Sequence, residues 1–174
     1  MPLLIGGVVL AVALTLLNLV LTVGVIRRLR EHTALLSERA GAADVMLDVG
    51  EKPGDFSATT TDGERVSRET LIGEQLVGFL SPGCGPCKEI LPRFVERAAV
   101  AGRANALAVV APGAEDADDL VAQLEPVARV VVERDDDPVS RAFKVRGFPA
   151  LCLLNADTVV TSSGTEVLRV TEAL

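Results

Sequence analysis

Cys84 and Cys87, in Cys84-Gly85-Pro86-Cys87, are the side chains of this sequence best suited to chemistry. Thiols at that spacing can close a small disulfide ring, reopen it and exchange with another disulfide through a mixed disulfide. The run Lys88 to Ala99 predicts a helix, which places Cys84 at its start. Backbone N–H groups and the dipole there stabilise a thiolate, so Cys84 is expected as the attacking thiol and Cys87 as the more buried resolver. Half of a zinc site has the same C-x-x-C spacing. The remaining soft ligands are Cys152 and His32, far away in sequence, with no second C-x-x-C. A structural zinc site needs about four protein ligands, so no metal is expected.

The motif needs a strand before it and a helix after it. Gln75 to Ser81 reads as a short buried strand. A redox C-x-x-C belongs on such a strand-to-helix turn. Further on, Ala104 to Val110 predicts a strand, Glu115 to Leu124 an amphipathic helix with an acidic start, and Ala128 to Val132 a strand. Asp137-Pro138 reads as the N-cap and first turn of a helix over Pro138 to Phe143. The run Asp135-Asp136-Asp137 is expected as a solvated cap rather than a calcium loop, whose other ligands are missing. Strands at Ala150 to Leu154 and Thr158 to Ser162 form a last hairpin, and Thr165 to Leu174 a short helix. Cys152 lies in an apolar strand and is expected as a small buried hydrophobe.

Cys84-Gly85-Pro86-Cys87-Lys88 followed by Pro92 resembles the active-site helix of thioredoxin. Asp135 to Pro149 resembles the segment leading to thioredoxin's cis-proline, and the likeness covers about Leu76 to Val160. Pro53 to Val66, with a turn at Asp62-Gly63, is similar to the hairpin added in membrane-tethered TlpA/ResA-type reductases and in peroxiredoxins. With its apolar N-terminus the chain resembles that tethered group, the methylamine-utilisation MauD proteins most of all. The resemblance implies an α/β thioredoxin-like fold with an N-terminal β-hairpin extension, preceded by one transmembrane helix. It implies Cys84 and Cys87 as the catalytic pair and Gly85 and Pro86 as the redox-motif residues, toward the reducing end of the scale near about −270 mV. Pro149 is implied to be cis, presenting the backbone of Phe148 to an extended substrate. Three positions depart from the family pattern. Gly83 stands where thioredoxin has a tryptophan, and Gly78 where it has a buried aspartate that serves the resolving cysteine. Ile90 stands where TlpA/ResA proteins often have a glutamate, and Glu89 is one residue away from that place.

The chain has 174 residues and a formal net charge of −7, with no Trp and no Tyr. That balance argues against a nucleic-acid partner, which needs a basic face. Pro2 to Ile26 carries no charged side chain. At ~1.5 Å per residue as a helix, it exceeds the ~30 Å hydrocarbon core of a bilayer. No basic segment precedes it, unlike a cleaved signal peptide. The organisation expected is an anchor and juxtamembrane helix over residues 1–40, a linker over 41–52 and a thioredoxin-like domain over 53–174. His32 falls in the juxtamembrane stretch and is expected to be solvated or at the headgroups.

The function expected is a membrane-anchored thiol–disulfide oxidoreductase that reduces disulfides of extracytoplasmic client proteins. It needs no cofactor beyond the Cys84–Cys87 disulfide. Its partners are protein thiols and disulfides, an unidentified electron donor and the lipid bilayer. One alternative is a redox-assisted maturation or assembly factor for a cytochrome or dehydrogenase. Another is a peroxiredoxin-like peroxidase, although the Thr expected three residues before a peroxidatic Cys87 is replaced by Cys84. The expected location is the cell membrane, with a single-pass N-terminal anchor. Arg27, Arg28 and Arg30 follow the apolar run, so the positive-inside rule places the domain in the cytoplasm. The family likeness places it outside, and that side is adopted here.

Overall fold

The structure is a computed structural model and describes residues 45–113, 116–133 and 137–168. The expected anchor and juxtamembrane helix, the first part of the linker, Asp135 and Asp136, and the end of the expected C-terminal helix lie outside the described residues. Among the described residues no helix is long and apolar enough to cross a membrane.

A five-stranded sheet forms the centre, in the order β5-β4-β3-β6-β7. Its strands are β3 (Gln75–Leu80), β4 (Ala106–Val110), β5 (Arg129–Val132), β6 (Ala150–Leu154) and β7 (Val160–Ser163). β3, β4 and β5 are parallel, and β6 runs antiparallel to both β3 and β7. β3 and β4 are buried along their whole length. That explains their continuous apolar sequence, since the central strands of a covered sheet have no solvent face. Three helices connect the strands: α1 (Gly85–Ala101), α2 (Asp118–Leu124) and α3 (Pro138–Ala142).

The alternation of side chains divides the core between the two sheet faces. Leu76 and Leu80 of β3 lie in one cluster with Ile90, Phe94 and Ala98 of α1 and Leu120 and Leu124 of α2. Val77 and Phe79 lie in the other, with Val139 and Ala142 of α3, Phe143 just beyond it and Val66 of the hairpin. Phe79 and Phe143 meet with ring centroids 5.2 Å apart. Each fully buried side chain of this size contributes roughly 1.5–3 kcal/mol, so the clusters fix the helices on the sheet.

The expected hairpin is a separate two-stranded sheet of β1 (Ser57–Thr59) and β2 (Arg65–Ser67). Gly63 takes φ +87° in its turn, where a side chain would be strained. The Thr61 N–H donates to the Val130 carbonyl at 2.8 Å, so the hairpin docks on edge strand β5. Buried Arg129 adds a bond to Gln75 at 2.8 Å and an ion pair with Glu64 at 3.5 Å.

Several boundaries differ from the sequence reading. The strand after α1 begins at Ala106, because Arg103–Asn105 first form a 3-10 turn. The described part of the C-terminal stretch is a 3-10 turn over Thr165–Leu168. Asp137 does not cap α3 with its side chain. Glu133 does so instead, accepting the N–H groups of Val139 and Ser140 at 3.0 Å each. Val45 to Lys52, part of the expected linker, packs onto the domain, with Met46 and Leu47 each only 1% exposed.

Candidate active site

β3 delivers the chain to the edge of the sheet at Leu80, and a short turn leads to α1. The Cys84 N–H donates to the Ser81 carbonyl at 3.2 Å and fixes that turn. Cys84 is the N-cap of α1, in extended conformation, and Pro86 lies in the first helical turn. Proline suits that position because a first-turn N–H has no intrahelical acceptor. The Cys87 N–H donates to Cys84 Sγ at 3.1 Å. Cys84 Sγ thus lies at the positive end of a 17-residue helix, a position that favours a thiolate over a thiol.

Cys84 and Cys87 form a disulfide with their Cα atoms 5.2 Å apart. Cys84 is partly exposed, whereas Cys87 is 2% exposed and belongs to the apolar cluster under α1. The two sulfurs thus differ in exposure: Cys84 is partly open to solvent and Cys87 faces the core. Gly85 and Pro86 are exposed and cover neither.

The β3–β6 ladder ends with Phe79 opposite Ala150. Phe148 and Pro149 therefore leave the sheet beside Leu80 and Ser81, at the end of β3 that leads to Cys84. The Phe148–Pro149 bond is cis, as the resemblance implies. Phe148 and Cys84 both pack against the same apolar cluster, and the register brings the residues singled out as a substrate loop to the end of β3 from which the turn to the cysteine pair leaves.

Two of the departures from the family pattern have structural explanations. Gly78 leaves no room for a side chain, since a Cβ there would run into the Phe94 ring, with Cζ at 2.8 Å, and would lie 3.1 Å from Leu151 Cδ2. The space that a side chain at position 78 would need is occupied by an aromatic ring. Ile90 is buried in the same cluster, while Glu89 is exposed. No group of three or more metal-ligating side chains occurs among the described residues.

Sequence reasoning missed Glu133, which ends β5 and reads there as one more solvated acid before a run of aspartates. It is 5% exposed, and it also accepts the Ser140 hydroxyl at 3.3 Å. It missed Phe94 as the filler over Gly78. A glycine inside an otherwise buried strand signals close approach of a neighbour, but not which neighbour.

Comparison with known proteins comes from structure alone: no family model matches the chain, and no curated protein is significantly similar to it. The fold is similar to a thio-disulfide isomerase from Thermus thermophilus, with TM-score 0.55 and 19% identity over 70% of this chain and 92% of that one. It is similar to the thioredoxin domain of a thiol-disulfide oxidoreductase from Bacteroides vulgatus, with TM-score 0.54 and 19% identity over 70% and 93% of the respective chains. A thiol:disulfide interchange protein from Bacteroides sp. gives TM-score 0.51 and 16% identity over 67% and 81%.

Cys152 sits on the other face of the sheet from the dithiol, opposite Val77. Burial pushes its thiol well above the ordinary range. Because the folded-state pKa is raised, the unfolded chain loses this proton first as pH rises. The thiol has no effect below the unfolded value of about 8.5, and stability falls above it by up to ~1.4 kcal/mol per pH unit. Urea unfolding between pH 8.5 and 10 should show the oxidised wild type losing roughly 1.5–2 kcal/mol more than Cys152→Ala. Parallel profiles for the two chains would refute the assignment. The described residues thus build a thioredoxin-like fold, with the Cys84–Cys87 disulfide at the turn from β3 to α1.

Proposed function

We propose that this chain is a thiol–disulfide oxidoreductase that reduces disulfides of client proteins. The observation that carries this reading is Cys84 Sγ at the start of α1, accepting the Cys87 N–H in a Cys84–Cys87 disulfide, at the end of β3 to which the strand register also brings Phe148 and Pro149. The Cys84 thiolate attacks one sulfur of a client disulfide. The client S–S bond breaks, a Cys84–client disulfide forms, and the displaced client thiolate takes up a proton. Cys87 then loses its proton and attacks Cys84 Sγ, forming the Cys84–Cys87 disulfide and releasing the second client thiolate. Two electrons pass from the protein to the client, and a donor dithiol must return them. Phe148 and Pro149, in the bend that leads into β6, offer backbone against which a client strand can pair.

A second reading, a maturation factor that captures a client such as a cytochrome or dehydrogenase subunit, is favoured by the packing at Gly78. With Phe94 in place of a buried acid, deprotonation of Cys87 falls to solvent and the mixed disulfide lives longer. Sustained turnover of insulin disulfides supports the reductase, and capture without turnover supports the maturation factor. In either case Cys87→Ser should accumulate mixed disulfides with clients and Cys84→Ser should not. Equal trapping by the two variants, resolved on a non-reducing gel, would overturn the proposed order of attack.

The tether is also part of the proposal. The uncharged run Pro2 to Ile26 supports a retained single-pass anchor, and the likeness to the tethered TlpA/ResA group supports a domain on the outer face. A reporter active only outside the cytoplasm, fused after Leu174, should give signal with the full-length chain in the membrane fraction. Signal only from a cytoplasm-specific reporter would reverse the side. Recovery of the chain in the soluble fraction would overturn the anchor.

A further inference from the structure

The N-terminal segment Val45–Gly54 lies against the stretch that carries Phe148 and Pro149. The Val45 carbonyl accepts the Arg146 N–H at 2.8 Å, and the Leu47 N–H donates to the Phe143 carbonyl at 3.0 Å. Val45 Cγ1 covers Gly147, at 3.6 Å from where a Cβ would stand. Met46 and Leu47 are part of the apolar cluster against which Val45, Val145 and Phe148 also pack. Farther along the segment, the Gly54 N–H donates to the Ala142 carbonyl at 3.0 Å, and Glu51 pairs with Lys144 at 2.7 Å.

These contacts answer a physical need. α3 has five residues, too few to hold itself as an isolated helix, and the last carbonyls of any helix lack intrahelical donors. The segment supplies donors to the carbonyls of Ala142 and Phe143. At the other end, the Glu133 carboxylate accepts the N–H groups of Val139 and Ser140. α3 is therefore held at both ends, and the chain turns sharply after it at Lys144, with φ +52°. The bond from Arg146 to Val45 then ties the next stretch, two residues before Phe148.

We infer that Val45–Leu47 is a positioning element of the client-binding loop, setting the Phe148–Pro149 backbone through Arg146 and Gly147. The inference rests on the reading of that backbone as the client-pairing surface. A client strand then binds to a loop that is already ordered and loses less freedom on association. Loosening the segment weakens client binding and leaves the chemistry at Cys84 intact.

The test is Val45→Gly in the full-length chain in detergent micelles, with Val45→Ile as the conservative control. Glycine removes the side chain over Gly147 and frees the backbone that presents the carbonyl. The KM for insulin should rise about fivefold in Val45→Gly with kcat little changed, the loss expected for one hydrogen bond that no longer helps binding. The rate with a small aromatic disulfide, which offers no strand to pair, should stay within about twofold of wild type, and Val45→Ile should keep the wild-type KM. Amide hydrogen exchange at Arg146 and Phe148 should speed up in Val45→Gly. Unchanged exchange would overturn the clamp, even if wild type turned over no insulin and the proposed function itself had failed. Faster exchange with an unchanged insulin KM would overturn the positioning role. Equal loss toward insulin and the small disulfide would show a general structural defect and overturn it too.

Discussion

The proposed chemistry depends on one hydrogen bond, from the Cys87 N–H to Cys84 Sγ at the head of α1. A thiol at its ordinary acidity is mostly protonated at neutral pH, and only the thiolate attacks a disulfide. A donor held by the helix backbone stabilises the charged form without reorganising. The remaining structure keeps this donor in place. β3 ends where the turn must begin, Pro86 suits the first helical turn, and Ile90, Phe94 and Ala98 anchor α1 to the sheet. The same burial that anchors α1 takes Cys87 out of solvent, so the two sulfurs of one ring have opposite environments.

The proposed reaction also requires a partner-facing backbone at the dithiol's end of the sheet. β6 brings Phe148 and Pro149 to the correct edge through its pairing with β3, but the chain before them leaves a helix too short to hold itself. Two distant parts of the sequence compensate. Glu133, at the end of β5, holds the start of α3, and Val45 to Gly54 holds its end and the loop beyond. A buried carboxylate that accepts two backbone N–H groups and a hydroxyl forms charge-assisted bonds, which are among the stronger ones available to a protein.

The sheet and the place of the Cys84–Cys87 disulfide at a strand-to-helix turn were legible in the sequence because their signals are local. Gln75 to Leu80 and Ala106 to Val110 are short apolar runs, and Cys84-Gly85-Pro86-Cys87 sits between a strand and a helix. The hairpin was legible at Asp62-Gly63, since its tight turn needs a residue that tolerates positive φ. Contacts made over long separations were not legible. Glu133 looks like a surface acid until α3 is folded against it. Val45-Met46-Leu47 looks like a brief apolar stretch in a linker until Phe143 and Arg146 supply its hydrogen-bond partners. Gly78 announces close packing, but the ring that fills the space is sixteen residues away on α1. Asp137 stands at the N-cap of α3 with Pro138 in its first turn, as the local signal implied, but the side-chain hydrogen bonds to that turn come from Glu133.

The most direct test of the central claim is an ultraviolet titration of thiolate absorbance in the fully reduced chain. One thiol should ionise well below the ordinary value of about 8.5. That step should persist in Cys87→Ser and vanish in Cys84→Ser. If no thiol ionises below the ordinary value, or if the early step survives the loss of Cys84, the helix-start hydrogen bond does not activate this residue and the account is wrong.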